Sequence, residues 1–346
     1  MFSSAVCYLL LFSVVARAAL VDVFRAGVGG YACYRIPALL VDVDPVSADF
    51  VLYAFAEGRK FSCADHGWND IVMSTSADAG ATWSPLSVVY GESNAMQNVT
   101  IGNPAPVLLG PGSILMPFSR NNLAAGFMRS VDGGAHWSGP QPLPLVLPKG
   151  VTWIATGPPG SLRLVAGRRV VPMDIQAAAV PYSSGALFSD DDGQTWRLSS
   201  LVKGGNEAQA VALPWKSPGA LHLSMRNVNG AMRLGAESLD GGATWSSPWT
   251  TLAETECEAS VTALAAAPGG PLLVMSSAFS SARKNMSLHV SEDDGRTWTP
   301  RVVVYAGTAA YSSVVSLDGP GGDRTSVGLL FEADSYARIS YTPVKI

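Results

Sequence analysis

Short apolar runs recur along this chain, and the same polar turn follows them. Ile71-Val72-Met73 leads into Ser76, and Leu288-His289-Val290 leads into Ser291. Runs of this length, closed by turn signals, predict strands. The turn is itself a repeat. The pattern Ser-x-Asp-x-Gly-x-x-Trp occurs at Ser76 to Trp83, Ser130 to Trp137, Ser189 to Trp196, Ser238 to Trp245 and Ser291 to Trp298. In each copy the Asp (Asp78, Asp132, Asp191, Asp240, Asp293) suits bonds to the backbone of its own turn. The Gly of each copy permits positive φ, and the Trp offers a large ring to bury between neighbouring units.

Successive boxes begin 54, 59, 49 and 53 residues apart, which leaves room for four ordinary strands per unit. Without a leader of about 19 residues the chain holds roughly six such units. The expected fold is all-β: a six-bladed β-propeller of four-stranded antiparallel blades, in a single domain over 20–346. The unit lacking a box is expected to be the last, closed by Val21-Asp22-Val23-Phe24 joining the C-terminal strands.

Residues 1–19 read as a secretory signal peptide, with an apolar run from Ala5 to Val15 and small residues around Ala16-Arg17-Ala18. No later stretch of about 18 apolar residues predicts a transmembrane anchor in the mature chain. The sequons at Asn98 and Asn285 agree with the secretory pathway, with a secreted or lysosomal destination. Of the 346 residues 48% are hydrophobic and 14% charged, which excludes a disordered or coiled-coil protein. Lys plus Arg number 23 against 27 for Asp plus Glu, a net charge of −4, which excludes a general nucleic-acid binder. Outside the leader, Cys33, Cys63 and Cys257 form an odd set and no disulfide scaffold. A Cys33–Cys63 pair and two buried thiols both remain open.

Tyr34-Arg35-Ile36-Pro37 resembles the Phe/Tyr-Arg-Ile-Pro motif that opens the catalytic domain of sialidases, and the boxes resemble their Asp boxes. Phe55-Ala56-Glu57-Gly58-Arg59-Lys60 and Ala310-Tyr311-Ser312-Ser313 are similar to lysosomal-type animal sialidases in particular. The resemblance implies an exo-α-sialidase that hydrolyses terminal α-linked sialic acid with retention. Its substrates are sialylated glycoproteins, gangliosides or oligosaccharides, with no cofactor and no catalytic metal. A non-catalytic sialic-acid-binding propeller and a trans-sialidase are the alternatives. The first would keep the arginines without the reacting groups, and the second would transfer to a sugar acceptor.

The chemistry explains the residues that the resemblance selects. Sialic acid bears a carboxylate on its anomeric carbon, and guanidinium groups match a carboxylate as planar forks. Arg35, Arg226 and Arg283 are the expected triad. A carboxylate nucleophile would be repelled there, and a neutral phenol is not; sialidases accordingly use Tyr. Tyr311 takes that place, with Glu207 as its base. Asp65 is the expected acid/base, with Asp70 as its rival and His66 an exposed loop residue. Glu332 is expected to orient Arg35, and Arg59 to lie near the sugar 4-hydroxyl with Glu57 beside it. Asn103 stands where many sialidases carry an Asp that contacts the same hydroxyl. Met96 and Trp153 are candidates for an N-acyl pocket. Glu254, Glu256 and Glu258 read as a solvated strand face or loop, and Arg168, Arg169, Arg233 and Arg338 as surface residues. The box Asp side chains read as structural.

Overall fold

The computed structural model describes residues 19–43, 50–254, 256–265, 267–280, 282–317 and 325–346. The expected signal peptide lies almost wholly outside them. The described residues form strands and turns without a helix, so none has a helix long and apolar enough to cross a membrane. The strands make five antiparallel sheets. The first holds Cys33–Val43, Phe50–Arg59, Asn69–Ser76 and Ser87–Tyr90, in that order. The fourth repeats the plan with Gly205–Ala212, Leu221–Asn227, Met232–Ser238 and Trp249–Ala253.

The last sheet has seven strands, from Ser260–Leu264 to Val21–Arg25. One strand, Thr299–Ser316, runs 18 residues. Its first part pairs with Lys284–Ser291, and from Ala309 onward it pairs with Ser326–Ala333. The N-terminal strand pairs with Arg338–Lys345, as the closing run at Val21 predicts.

Apolar side chains between the sheets join them in series. Phe55 and Met73 of the first sheet pack with Met116 and Met128 of the second. Leu115 and Phe127 of the second meet Met173 and Leu187 of the third, and Leu213 of the fourth meets Val261 and Leu273 of the last. Leu52 and Val72 return to Leu330, Ile339 and Tyr341, so the first sheet also packs on the last. This propeller-like arrangement lets strands far apart in sequence bury a series of apolar clusters between neighbouring sheets.

The boxes are turns whose polar groups satisfy one another. Ser76 Oγ donates to Asp78 Oδ1 at 2.7 Å and accepts from Gly80 N at 2.9 Å, while Thr82 N donates to Asp78 Oδ1 at 2.8 Å. The same Ser–Asp and Ser–Gly bonds recur in the other four copies. Hydrogen bonds from Thr82, side chain first, hold the exposed Asp78 carboxyl down to about 2. These carboxylates face their own turns.

Candidate active site

Three of the expected site residues lie where a strand carries one residue too many. The register of Cys33–Val43 against Phe50–Arg59 slips between Arg35 and Ala38. That of Gly205–Ala212 slips between Gly205 and Ala208, across Glu207. That of the long strand slips between Ala309 and Ser312, across Tyr311. In each case two residues oppose one on the partner strand, a β-bulge, which re-aims side chains and leaves backbone groups without ladder partners.

Glu332 takes up two of those backbone groups. Its side chain is fully buried, and Oε1 accepts from Ile36 N at 2.9 Å and from Arg35 Nε at 2.6 Å. Oε2 accepts from Tyr311 N at 3.1 Å. One carboxylate therefore ties two bulges to each other and fixes the Arg35 guanidinium.

Around Tyr311 the expected groups gather. Its hydroxyl donates to Glu207 Oε1 and accepts from Arg226 Nη1 at 3.3 Å. Arg226 Nη1 also bonds Glu207 Oε2 at 3.0 Å. The Arg35 and Arg283 guanidinium carbons stand 5.2 and 5.5 Å from the centroid of the Tyr311 ring. Burial, with the Glu207 charge next, pushes the Tyr311 phenol well above its ordinary range. The phenol is thus a neutral hydroxyl at rest, with a carboxylate poised to take its proton.

Asp65 lies on the loop between Phe50–Arg59 and Asn69–Ser76, its side chain 74% exposed. Arg59 Nη1 donates to its Oδ1 at 2.8 Å, and Arg35 Nη1 stands 3.8 Å from the same oxygen. Burial works to raise its carboxyl, but the Arg59 bond and the charges of Arg59 and Arg35 outweigh this and hold it below the ordinary range. Arg59 is itself fixed by Glu57 at 3.0 and 2.8 Å, and Glu57 Oε1 accepts from Asn103 N at 2.8 Å. Gly102 permits that approach, since a Cβ there would stand 2.3 Å from Glu57 Oε1. All nine expected residues therefore belong to one connected cluster. Asn103 joins it through its backbone, because Ser119 Oγ and Asn122 Nδ2 occupy its side-chain oxygen at 2.7 and 3.1 Å. Asp70 is buried under bonds from Tyr31 and Trp68, and His66 is exposed beside the Trp153 ring.

Several expectations need correction. Glu258 is 1% exposed, with Oε2 accepting from Ser312 N at 2.8 Å, and the Glu254 side chain is buried against Arg233. Only Glu256 is solvated, and the three lie between strands. Arg233 is 2% exposed because it also donates to Ser224 Oγ and the Cys257 carbonyl. Arg169 is buried beside Asp192. A charge goes inside when a partner is supplied there. Met96 is 97% exposed on a turn and is no part of the core. The open question of Cys33 and Cys63 resolves as a disulfide, and Cys257 is a buried thiol in contact with Tyr311.

Sequence reasoning missed Tyr336 and Asp174 as neighbours of the site, and read Glu256 only as part of an acidic run. Tyr336 stacks under Arg35 at 4.1 Å and accepts from Arg283 Nη1 at 3.1 Å. Glu256 accepts from Arg226 Nη2 at 3.1 Å. Asp174, fully buried, accepts from Trp153 Nε1 at 2.7 Å and Asn206 Nδ2 at 3.1 Å. Burial first, then the Glu207 charge, pushes its carboxyl well above the usual range. Tyr336 lies four residues past Glu332, and Asp174 carried no motif.

A propeller-like chain with arginines converging on a buried phenol–carboxylate pair defines a repeat protein with a site for an anionic ligand. Residues 51–323 match the model of the BNR repeat-like domain, and the chain belongs to that family. It is similar to the sialidase of Micromonospora viridifaciens, 29% identical over 90% of this chain and 51% of that one. It is also similar to the sialidase of Bacteroides fragilis, 27% identical over 94% of this chain and 64% of that one. The chain thus spans about half to two thirds of these relatives. Among solved structures it resembles the Hadza microbial sialidase Hz136, with a TM-score of 0.79 and 25% identity over 93% of this chain and 68% of that one.

Proposed function

We propose that this protein is an exo-α-sialidase, a retaining glycoside hydrolase built on a six-bladed propeller. In this reading the seven-stranded sheet is two blades, and Thr299–Ser316 is the outermost strand of one and the innermost of the next. The reading rests on the Tyr311–Glu207 hydrogen bond lying beneath Arg35, Arg226 and Arg283. The three guanidiniums bind the substrate carboxylate. Asp65, ionised at rest beside Arg59 and Arg35, first takes up a proton from solvent and gives it to the glycosidic oxygen while the Tyr311 oxygen attacks the anomeric carbon and Glu207 accepts the phenolic proton. Asp65 then takes a proton from water, which displaces Tyr311 as Glu207 returns the proton. Two displacements at one carbon preserve configuration.

The substrates in this reading are sialylated glycoproteins, gangliosides or oligosaccharides met along the secretory pathway, whether outside the cell or in the lysosome. The test is a hydrolysis assay on a panel of α-linked nonulosonic acids at acid and neutral pH, with the product anomer followed by NMR. Release of the α anomer first supports the reading. Failure to cleave any member of the panel, or release of the β anomer first, would overturn it. Sialoside binding without turnover would favour a sialic-acid-binding propeller, and transfer to an added galactoside would mark a trans-sialidase.

A further inference from the structure

We propose that the Cys33–Cys63 disulfide is a positioning device for the acid/base Asp65, a role that rests on the sialidase reading. Tyr311, Glu207, Arg35 and Arg226 all rise from strands anchored in the cores between sheets. Asp65 does not. Its loop from Phe61 to His66 is exposed throughout, and Phe61, its largest apolar side chain, is 70% exposed. Such a loop gains almost nothing from apolar burial and is free to sample many positions.

Besides the disulfide, polar ties reach this segment from Arg59, whose Nη1 donates to Asp65 Oδ1 at 2.8 Å, and from Thr100, which exchanges bonds with Gly67 at 3.0 and 3.2 Å. Lys60 N donates to the Trp68 carbonyl at 2.9 Å and closes the base of the loop. Arg59 Nη1 donates to the Cys63 carbonyl at 2.6 Å, and Asn69 Nδ2 to the Asp65 carbonyl at 3.1 Å. The ion pairs from Arg59 and Arg35 hold the Asp65 carboxylate only while it is charged, whereas the covalent tie persists when Asp65 carries the proton it has to donate. Cys33 is fully buried in the strand that carries Arg35 two residues later, and its Cα lies 5.2 Å from that of Cys63. The bond therefore fastens the loop, two residues from Asp65, to the strand of the carboxylate-binding arginine. It fixes the distance between the group that holds the substrate and the group that protonates it.

A general acid works only within hydrogen-bond reach of the leaving oxygen, and a shift of about 1 Å costs roughly a hundredfold in rate. Loss of the disulfide should accordingly damage the proton transfer and spare the nucleophile. Leaving groups separate these effects. A 4-nitrophenyl sialoside departs as a stable phenolate and needs little protonation, whereas a sialyl-galactoside departs as an alkoxide unless protonated.

The experiment compares kcat/KM for both substrates in wild type and in the Cys33→Ser/Cys63→Ser double variant. A second arm uses folded wild type reduced with a phosphine, its thiols counted and its fold followed by near-ultraviolet circular dichroism. The expected result is a fall of about 10- to 100-fold on the sialyl-galactoside with less than about threefold on the aryl sialoside. Equal losses on both substrates, or no loss on either, overturn the proposal. Should the double variant fail to fold, the reduced wild type decides by the same criterion. A wild type that cleaves neither substrate removes the sialidase reading itself, whereas an active wild type with equal losses removes only the role of the disulfide.

Discussion

The Tyr311 hydroxyl donates its hydrogen bond to Glu207 across 104 residues of sequence. Neither group is placed by its neighbours in the chain; each stands on a β-bulge of a different sheet. A buried phenol beside a carboxylate is unreactive until that carboxylate accepts its proton. Tyr311→Phe removes the attacking oxygen and is expected to lose nearly all turnover on a fluorogenic sialoside. Glu207→Gln keeps the shape and loses the base, at a cost of roughly a hundred- to ten-thousand-fold in kcat. Steady-state kinetics with thermal melts on the same samples check both, and full activity in Tyr311→Phe would remove the nucleophile assignment.

Glu332, fully buried, pairs with Arg35, which is only 6% exposed, and its second oxygen serves the Tyr311 backbone. Removing one partner of a buried pair strands the other charge, which costs about 3–5 kcal/mol. Glu332→Gln is therefore expected to lower the urea midpoint and to raise KM for sialosides, because Arg35 loses its orientation. Denaturation curves and KM are the measurements, and an unchanged midpoint would contradict the coupling of the two bulges.

The boxes were legible because their physics is local: Ser, Asp and Gly close one turn within five residues, and repetition at blade-like spacing announced the sheets. Arg35, Tyr311 and Glu207 were legible through motif context. The pair of Arg233 with Glu254 was not, since the burial of both depends on a partner 21 residues away and on Ser224 and Cys257. Tyr336 was missed for a related reason. It reaches Arg35 and Arg283 from a turn in which Asp334, Ser335 and Tyr336 all take positive φ, a conformation that its sequence does not announce. The bulges too left no trace in the apolar pattern, because one extra residue shifts a strand without changing its composition.

Gly80 closes the first box against the last sheet. Its φ is +88°, and a Cβ there would stand 2.0 Å from the Tyr341 ring, which also meets Trp83 edge-on at 5.4 Å. Gly80→Ala is expected to cost about 2–4 kcal/mol through overpacking and the left-handed backbone together. The loss should appear as a lower melting temperature with kcat unchanged below the transition, because the box is remote from the Tyr311 cluster in function.

His222 and His289 are buried, and burial lowers both to about 4 from an ordinary 6.5. A histidine depressed on folding adds stability that is present above its unfolded pKa and lost as pH falls through the folded one. Between pH 6.5 and 4.5 each should therefore withdraw roughly 2–3 kcal/mol. His289, whose ring nitrogens have no hydrogen-bond partner among the described residues, is the cleaner probe. Urea midpoints of wild type and His289→Leu, taken at pH 7 and pH 4.5, should show a smaller acid loss in the variant. Equal losses would mean that His289 takes up its proton alike in the folded and unfolded chain, and would remove its burial as a source of acid instability.

Glu256 holds Arg226 Nη2 at 3.1 Å with a side chain that is 55% exposed. In the sialidase reading the same guanidinium must receive the substrate carboxylate, so an acidic side chain already stands where the ligand's charge has to go. Solvent-exposed ion pairs of this kind are worth about 0.2–1 kcal/mol, and the substrate has to offset that amount to take the contact. Glu256→Gln keeps a hydrogen-bond acceptor for Arg226 and removes the competing charge. KM should fall by up to about fivefold, the equivalent of 1 kcal/mol, with kcat unchanged because Tyr311 and Glu207 are untouched. A rise in KM would reverse the assignment, since it would mean that the charge of Glu256 is what keeps Arg226 aimed at the ligand.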